Sequence, residues 1–173
     1  RLVEQMQGRI SVESTLGAGS LFWFTARLAR GPARGGARDS GAQTKGRALV
    51  VDDVPMTRLL HTELLRSAGF ACESAESGDA ARAVIAGQDE AGTPFDVVMM
   101  DLMMPGKDGF ESLRDLLATP LRRRPSVVLV TASGDPGIVQ DGLAAGFAGV
   151  LLKPVTAGGL RECLAQLPGA DSP

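Results

Sequence analysis

The chain has 173 residues, 44% hydrophobic and 22% charged, which fits one ordinary domain of about 100–200 residues with a small appendage and excludes a disordered polymer. Its net charge of −2 argues against a general nucleic-acid binder, and no apolar run approaches the ~18 residues of a membrane span. Cys72 and Cys163 fit no metal-binding spacing and read as reduced core thiols of a cytosolic protein.

No basic stub leads into an apolar stretch, so no signal peptide is expected, and a chain starting at Arg1 reads as a fragment or a processed product. Residues 1–7 form a short helical stretch with Gly8 as its C′ residue. Residues 9–14 alternate, with Ile10 and Val12 on one face. Residues 21–28 do the same, with Phe22, Phe24, Ala26 and Leu28 together, and the glycine-bearing turn between the two runs predicts a β-hairpin. A hairpin alone is marginal in water, so this one calls for a partner outside itself. Residues 30–46 hold no large apolar side chain and read as a flexible linker, a reading preferred over a DNA-binding arm despite the spaced arginines. Eight basic and three acidic residues lie in 1–47, a net of +5, which leaves −7 for the remainder.

The body alternates strand-like and helix-like segments. Residues 48–51 are a short apolar run, as in a strand buried on both faces. Residues 55–68 carry Met56, Leu60 and Leu64 at helical spacing, with Arg58, Thr62 and Arg66 on another face, and Gly69 closes the helix. A strand at 70–73, a helix at 79–86 and a strand at 95–100 follow. Phe110, Leu113, Leu116 and Leu117 mark a helix ending before Pro120. Next come a strand at 126–130, a glycine-weakened helix at 136–145 and a strand at 150–152. The last helix is striped by Leu160, Cys163, Leu164 and Leu167 and capped by Thr156. Five βα units in series predict an α/β, doubly wound parallel sheet with helices on both faces, preceded by the helix-hairpin piece.

In such a sheet, ligands bind beyond the carboxyl ends of the strands. The first strand ends in Asp52 and Asp53, the third in Asp101, the fourth in Thr131 and the fifth in Lys153 and Pro154. Three carboxylates, a hydroxyl and an ammonium on one rim suit a divalent cation with oxygen ligands, and Mg²⁺ takes such carboxylates together with waters and a phosphate. Lys153 suits a phosphoryl oxygen and Thr131 supplies a donor. The set fits phosphoryl transfer onto a carboxylate.

These segments resemble the receiver domain of two-component signalling. The residues that carry the likeness are 49–53 (LVVDD), 101–109 (DLMMPGKDG), 130–132 (VTA) and 152–154 (LKP), and it covers about 47–168. The resemblance implies a (βα)5 flavodoxin-like sheet of order 2-1-3-4-5. It implies that Asp101 accepts the phosphate and that Asp53 ligates Mg²⁺, with Asp52 ordering its waters and the Met103 backbone carbonyl adding a ligand. Thr131 and Lys153 would contact the phosphoryl group, and the Lys153–Pro154 bond would be cis. Asp108 and Gly109 read as turn chemistry at a helix start. Where receivers often carry a Tyr or Phe, three residues before the lysine, this chain has Val150. Met103 and Ser133 offer little to orient an attacking water, so a slowly hydrolysed phosphoaspartate is expected.

Residues 2–14 with 17–24 resemble the tail end of a histidine-kinase ATPase domain, although its asparagine-bearing helix, Asp-x-Gly-x-Gly loop and lid are not in this chain. Together the two resemblances imply the C-terminal part of a hybrid histidine kinase: residues 1–29 as an ATPase-domain remnant, 30–46 as linker, 47–168 as receiver and 169–173 as tail. The implied partners are a phosphohistidine donor and a histidine-phosphotransfer acceptor, with no nucleic acid and no membrane in this segment, in the cytoplasm. The receiver would catalyse its own aspartyl phosphorylation without an ATP site. The alternatives are a phosphate sink or a receiver acting by domain contacts. An aspartyl-phosphate phosphatase would place an Asp-x-Asp pair on the first strand, and a flavin-binding module would want a Ser/Thr-rich loop where 54–57 stand. His61 reads as a boundary or surface residue of the first body helix, Met99 and Met100 as strand packing, and Arg122, Arg123 and Arg124 as a solvated loop.

Overall fold

The computed structural model describes residues 2–17, 19–27 and 44–168, in two units divided between 42 and 43. Most of the expected linker, the 169–173 tail and Leu28 lie outside the described residues.

In the first unit, α1 (Leu2–Gln5) leads to an antiparallel hairpin of β1 (Ile10–Thr15) and β2 (Gly19–Phe24). Its register sets Ile10 opposite Phe24 and Val12 opposite Phe22, so these four apolar side chains share a face as the alternation predicts. Every residue of both strands is exposed. The helix end differs from expectation. Gln7, at φ 53°, takes the left-handed C′ position, with Gly8 N–H bonding Val3 O and Gln7 N–H bonding Glu4 O at 2.9 Å each. Gly8 is required for another reason: a Cβ there would come within 1.7 Å of the Thr25 carbonyl oxygen.

The second unit contains β3 (Gly46–Val51), α2 (Pro55–Ser67), β4 (Phe70–Ala75), α3 (Gly78–Glu90), β5 (Val97–Asp101), α4 (Gly109–Ala118), β6 (Ser126–Thr131), α5 (Pro136–Ala145), β7 (Gly149–Leu152) and α6 (Ala157–Ala165). All pairings in its sheet are parallel, in the order β4-β3-β5-β6-β7, which is 2-1-3-4-5 within the unit. Pleating divides each strand between two cores. Leu49, Val51, Val98, Met100 and Leu129 pack with α3 and α4 through Ile85, Leu113 and Leu116. Ala48, Val50, Met99, Val128 and Val130 pack with α2 and α6 through Leu65 and Leu160. Central β5 is buried along its whole length, and each of its apolar side chains contributes roughly 1.5–3 kcal/mol by leaving water.

Of the stripe that its apolar spacing suggests, helix α2 turns inward only Leu64, half-buried against the second core. Its buried residues are His61, Thr62 and Leu65, whereas Met56 and Leu60 are 72% and 58% exposed. The spacing 58, 61, 62, 65 is as helical as 56, 60, 64. Hydrophobicity alone picked the wrong stripe because a half-buried Arg58 and a buried His61 lie on the inner one. The 122–124 segment is the exposed loop expected of it. Its side chains are exposed, but the buried Asp89 carboxylate accepts from Arg122 N–H at 2.7 Å and Arg123 N–H at 3.0 Å, which fixes the backbone.

Candidate functional site

Parallel register brings the strand ends level. Val51 lies opposite Met100, so Asp52 follows alongside Asp101. Asp101 pairs with Val130, Thr131 comes next, and Leu152 opposite Thr131 delivers Lys153. The carboxylates of Asp52, Asp53 and Asp101 each offer an oxygen within 4.8 Å of the others. Asp52 and Asp101 are buried, and Lys153 Nζ joins them, 3.2 Å from Asp52 Oδ2 and 3.0 Å from Asp101 Oδ1. Thr131, also buried, accepts a bond from Ser133 N–H at 3.1 Å, which leaves its own proton free to donate. Five of the expected site residues therefore sit at one rim, and Met103 follows in the β5–α4 loop with its side chain exposed.

The charges are unbalanced. Burial raises the Asp101 carboxyl above its ordinary value; Lys153 opposes this shift and Asp52 adds to it. Burial acts to lower the Lys153 ammonium, but its bonds to Asp101 and Asp52 outweigh that and raise it. One ammonium bridging two of three clustered carboxylates leaves negative charge in excess, and hard oxygen donors in that state fit Mg²⁺.

Local sequence explains the rigidity of the frame. Asp108 caps α4, accepting from Glu111 N–H at 2.8 Å while Glu111 Oε2 accepts from Asp108 N–H at 3.1 Å, which is the turn role expected of it. Gly109 is needed because a Cβ would lie 2.7 Å from the Asp101 carbonyl oxygen. The Lys153–Pro154 bond is cis. Beyond Thr131, Ser133 Oγ accepts from Asp135 N–H and Asp135 Oδ1 from Gly137 N–H, a ladder running from the site into α5. Val150 is half-buried against the α3/α4 core, and the nearby aromatic contact is instead Phe110 with Phe147, edge to face at 5.7 Å.

Two residues near the site were misjudged or missed. His61 is buried, 4% exposed, and burial lowers its imidazole below the ordinary 6.5. Arg58 bonds the Asp52 carbonyl oxygen through Nη1 at 2.6 Å. The inner-face spacing of α2 was the available signal for both.

Five parallel strands in this order, with acids and a lysine converging at their carboxyl ends, define a flavodoxin-like α/β domain with an acidic site at its rim. Residues 48–165 match the family described as response regulator receiver domain, and the chain belongs to that family.

The chain is 33% identical over 169 residues to the sensor histidine kinase AruS of Pseudomonas aeruginosa, covering 96% of this chain and 16% of that protein. An alignment of that extent takes in the hairpin unit as well as the sheet. A match to hybrid signal transduction histidine kinase A of Dictyostelium discoideum, 29% identical, covers 73% of this chain but 6% of that protein, so the chain spans a small part of both kinases. With the probable chemotaxis protein CheY of Rhizobium etli, identity is 30%, over 73% of this chain and 95% of that one. Among solved structures, CheY4 of Vibrio cholerae superposes with a TM-score of 0.61 at 28% identity, over 71% of this chain and 98% of that chain. The receiver domain of the sensor histidine kinase PA1611 from Pseudomonas aeruginosa, described with a magnesium ion coordinated in its active-site cleft, gives 0.59 at 25% identity over 70% and 97%. Among the described residues, no helix is long and apolar enough to cross a membrane.

Proposed function

We propose that this chain is the receiver of a hybrid histidine kinase, taking a phosphoryl group from a phosphohistidine onto Asp101 and passing it to the histidine of a phosphotransfer partner. The observation that carries this reading is the Lys153 ammonium held between Asp52 and Asp101, 3.2 and 3.0 Å away, beside a buried threonine with a free proton. In the transfer, an Asp101 carboxylate oxygen forms a bond to phosphorus as the donor's P–N bond breaks, and the electron pair leaves with the imidazole. Lys153 neutralises charge on the phosphoryl oxygens and Thr131 donates to one of them. Asp53, Asp52, Asp101 and the Met103 carbonyl would hold Mg²⁺. The ion, when bound, offsets the negative charge that the phosphoryl group brings among these acids. Passage to the second histidine is the same exchange in reverse.

Val54, Met56, Met103 and Leu152, each within three residues of a site acid or of Lys153, are 47%, 72%, 74% and 50% exposed. Exposed apolar side chains this close in sequence to the site acids favour a protein donor with an apolar surface over a free anion. The AruS alignment supports a kinase parent; in this reading residues 1–29 are the end of its ATPase domain, 47–168 are the receiver, and the setting is cytoplasmic.

Asp101→Asn is expected to abolish labelling by a small acyl phosphate in the presence of Mg²⁺, and labelling that persists would reject Asp101. Decay of the phosphorylated chain, alone and with a histidine-phosphotransfer domain, tests the relay. Slow decay accelerated by the partner is expected. Fast decay that no such partner alters would make the chain a phosphate sink.

A further inference from the structure

The first acid of the site is held at every polar group it has. Asp52 is 1% exposed. Its N–H donates to the Ala75 carbonyl at 3.3 Å. Its Oδ1 accepts from Val54 N–H at 2.9 Å, and its Oδ2 lies 3.2 Å from Lys153 Nζ. The one remaining group is its backbone carbonyl, and Arg58 Nη1 donates to it at 2.6 Å.

That carbonyl belongs to the peptide plane joining Asp52 to Asp53. Turning the plane changes ψ of Asp52 and φ of Asp53 together. Where those two changes do not cancel, the Asp53 side chain turns relative to Asp101. Asp53 is only half-buried, and none of the hydrogen bonds or ion pairs described for this site holds its carboxylate. Its direction is thus set by the backbone that Arg58 grips. The grip is short and charge-assisted, and it comes from a rigid support. Arg58 lies in the first turn of α2, and its own N–H bonds the Val54 carbonyl at 3.1 Å. Val54 provides no side-chain cap to that helix, so the Asp52 and Arg58 side chains take over the fastening of the 52–54 turn.

We infer that Arg58 is a positioning residue for the metal site: by pinning the Asp52–Asp53 peptide plane it holds the Asp53 carboxylate where it and Asp101 face one cation. The inference rests on the Mg²⁺ reading of the acid cluster. Its test uses the sign of the effect. By Coulomb attraction alone, removing a guanidinium bonded to the backbone of one of these acids tightens cation binding. Loss of positioning weakens it, and partners that orient metal ligands are worth about 10–100-fold in affinity.

The experiment measures the Mg²⁺ dissociation constant of the unphosphorylated full chain by calorimetry, with metal-free thermal melts alongside. Arg58→Met is expected to weaken Mg²⁺ roughly tenfold. Arg58→Lys, which restores a charged donor on a flexible stem, is expected to recover most of that loss. If Arg58→Met does not fold, Arg58→Gln carries the same expectation. Unchanged or tighter binding in Arg58→Met or Arg58→Gln, while Asp53→Ala still abolishes binding, overturns the role of Arg58. Failure of Arg58→Lys to recover any affinity also overturns it, because the loss would then come from helix packing. Binding that survives Asp53→Ala unchanged overturns instead the metal reading beneath the proposal.

Discussion

His61 illustrates how one buried titratable side chain makes a stability statement. It is 4% exposed on the inner face of α2, and burial lowers its imidazole from the ordinary 6.5; Asp52 acts upward, Lys153 downward and Asp101 upward, each less than burial. The unfolded chain then binds a proton at a pH where the folded protein does not. Stability is full above 6.5 and falls as the pH drops through the window between that value and the lower folded one. The slope there is at most about 1.4 kcal/mol per pH unit for one proton. Urea unfolding at about pH 7.5 and 5.5 checks this, and His61→Gln is expected to flatten the dependence. Equal pH dependence in the two proteins would show that the imidazole stays neutral in both states or charges in both.

Helix α3 shows the same chemical change acting in opposite directions along one element. Gly87 lies in its exposed interior, where an added Cβ would meet no atom within 4 Å, whereas a Cβ on buried Gly78 would come 2.0 Å from Ser112 Oγ of α4. Gly87→Ala removes backbone freedom from the unfolded chain at no steric cost and is expected to stabilise by about 0.5–1 kcal/mol. Gly78→Ala must push α4 away or drive Ser112 from its rotamer, and is expected to destabilise by about 1–3 kcal/mol. Chemical denaturation of the two variants against the parent reads both signs. A loss of stability in Gly87→Ala would mean that α3 is strained at that position. Helix α5 is held more lightly: among its residues Gly142 alone is buried, and its start depends on the Thr131–Ser133–Asp135–Gly137 ladder. That arrangement ties the order of its first turn to the site threonine.

The two units differ in how they are protected from water. Every residue of β1 and β2 is exposed, and their apolar face of Ile10, Val12, Phe22 and Phe24 is between 51% and 73% accessible. Central β5 is buried throughout. Local opening of the hairpin therefore exposes little that is not already wet, whereas opening β5 breaks both cores of the sheet. Amide exchange of the full chain is expected to be fast at Val12 and Phe22 and slowest at Val98 to Met100. Comparable protection in the two places would show that the hairpin face is covered in solution.

Residue order and period were enough to obtain the parallel sheet, because strands buried on both faces must be continuously apolar and the five runs at 48, 70, 95, 126 and 150 alternate with helices. They were also enough to name Asp52, Asp53, Asp101, Thr131 and Lys153, because a polar residue ending an apolar strand is conspicuous in one dimension. Hydrophobic spacing did not tell which stripe of α2 faces inward. Met56 and Leu60 outrank Arg58 and His61 on any apolar scale, yet the inner face runs up to the acidic rim, where the guanidinium finds a carbonyl partner and the buried imidazole feels the charges of Asp52, Lys153 and Asp101. The distances that make the rim a site were equally out of reach. Lys153 lies 101 positions from Asp52, and only the register of β3, β5, β6 and β7 brings its ammonium to within 3.2 Å. Contacts of that kind arise from strand pairing across the whole sheet, and no local pattern in the chain encodes them.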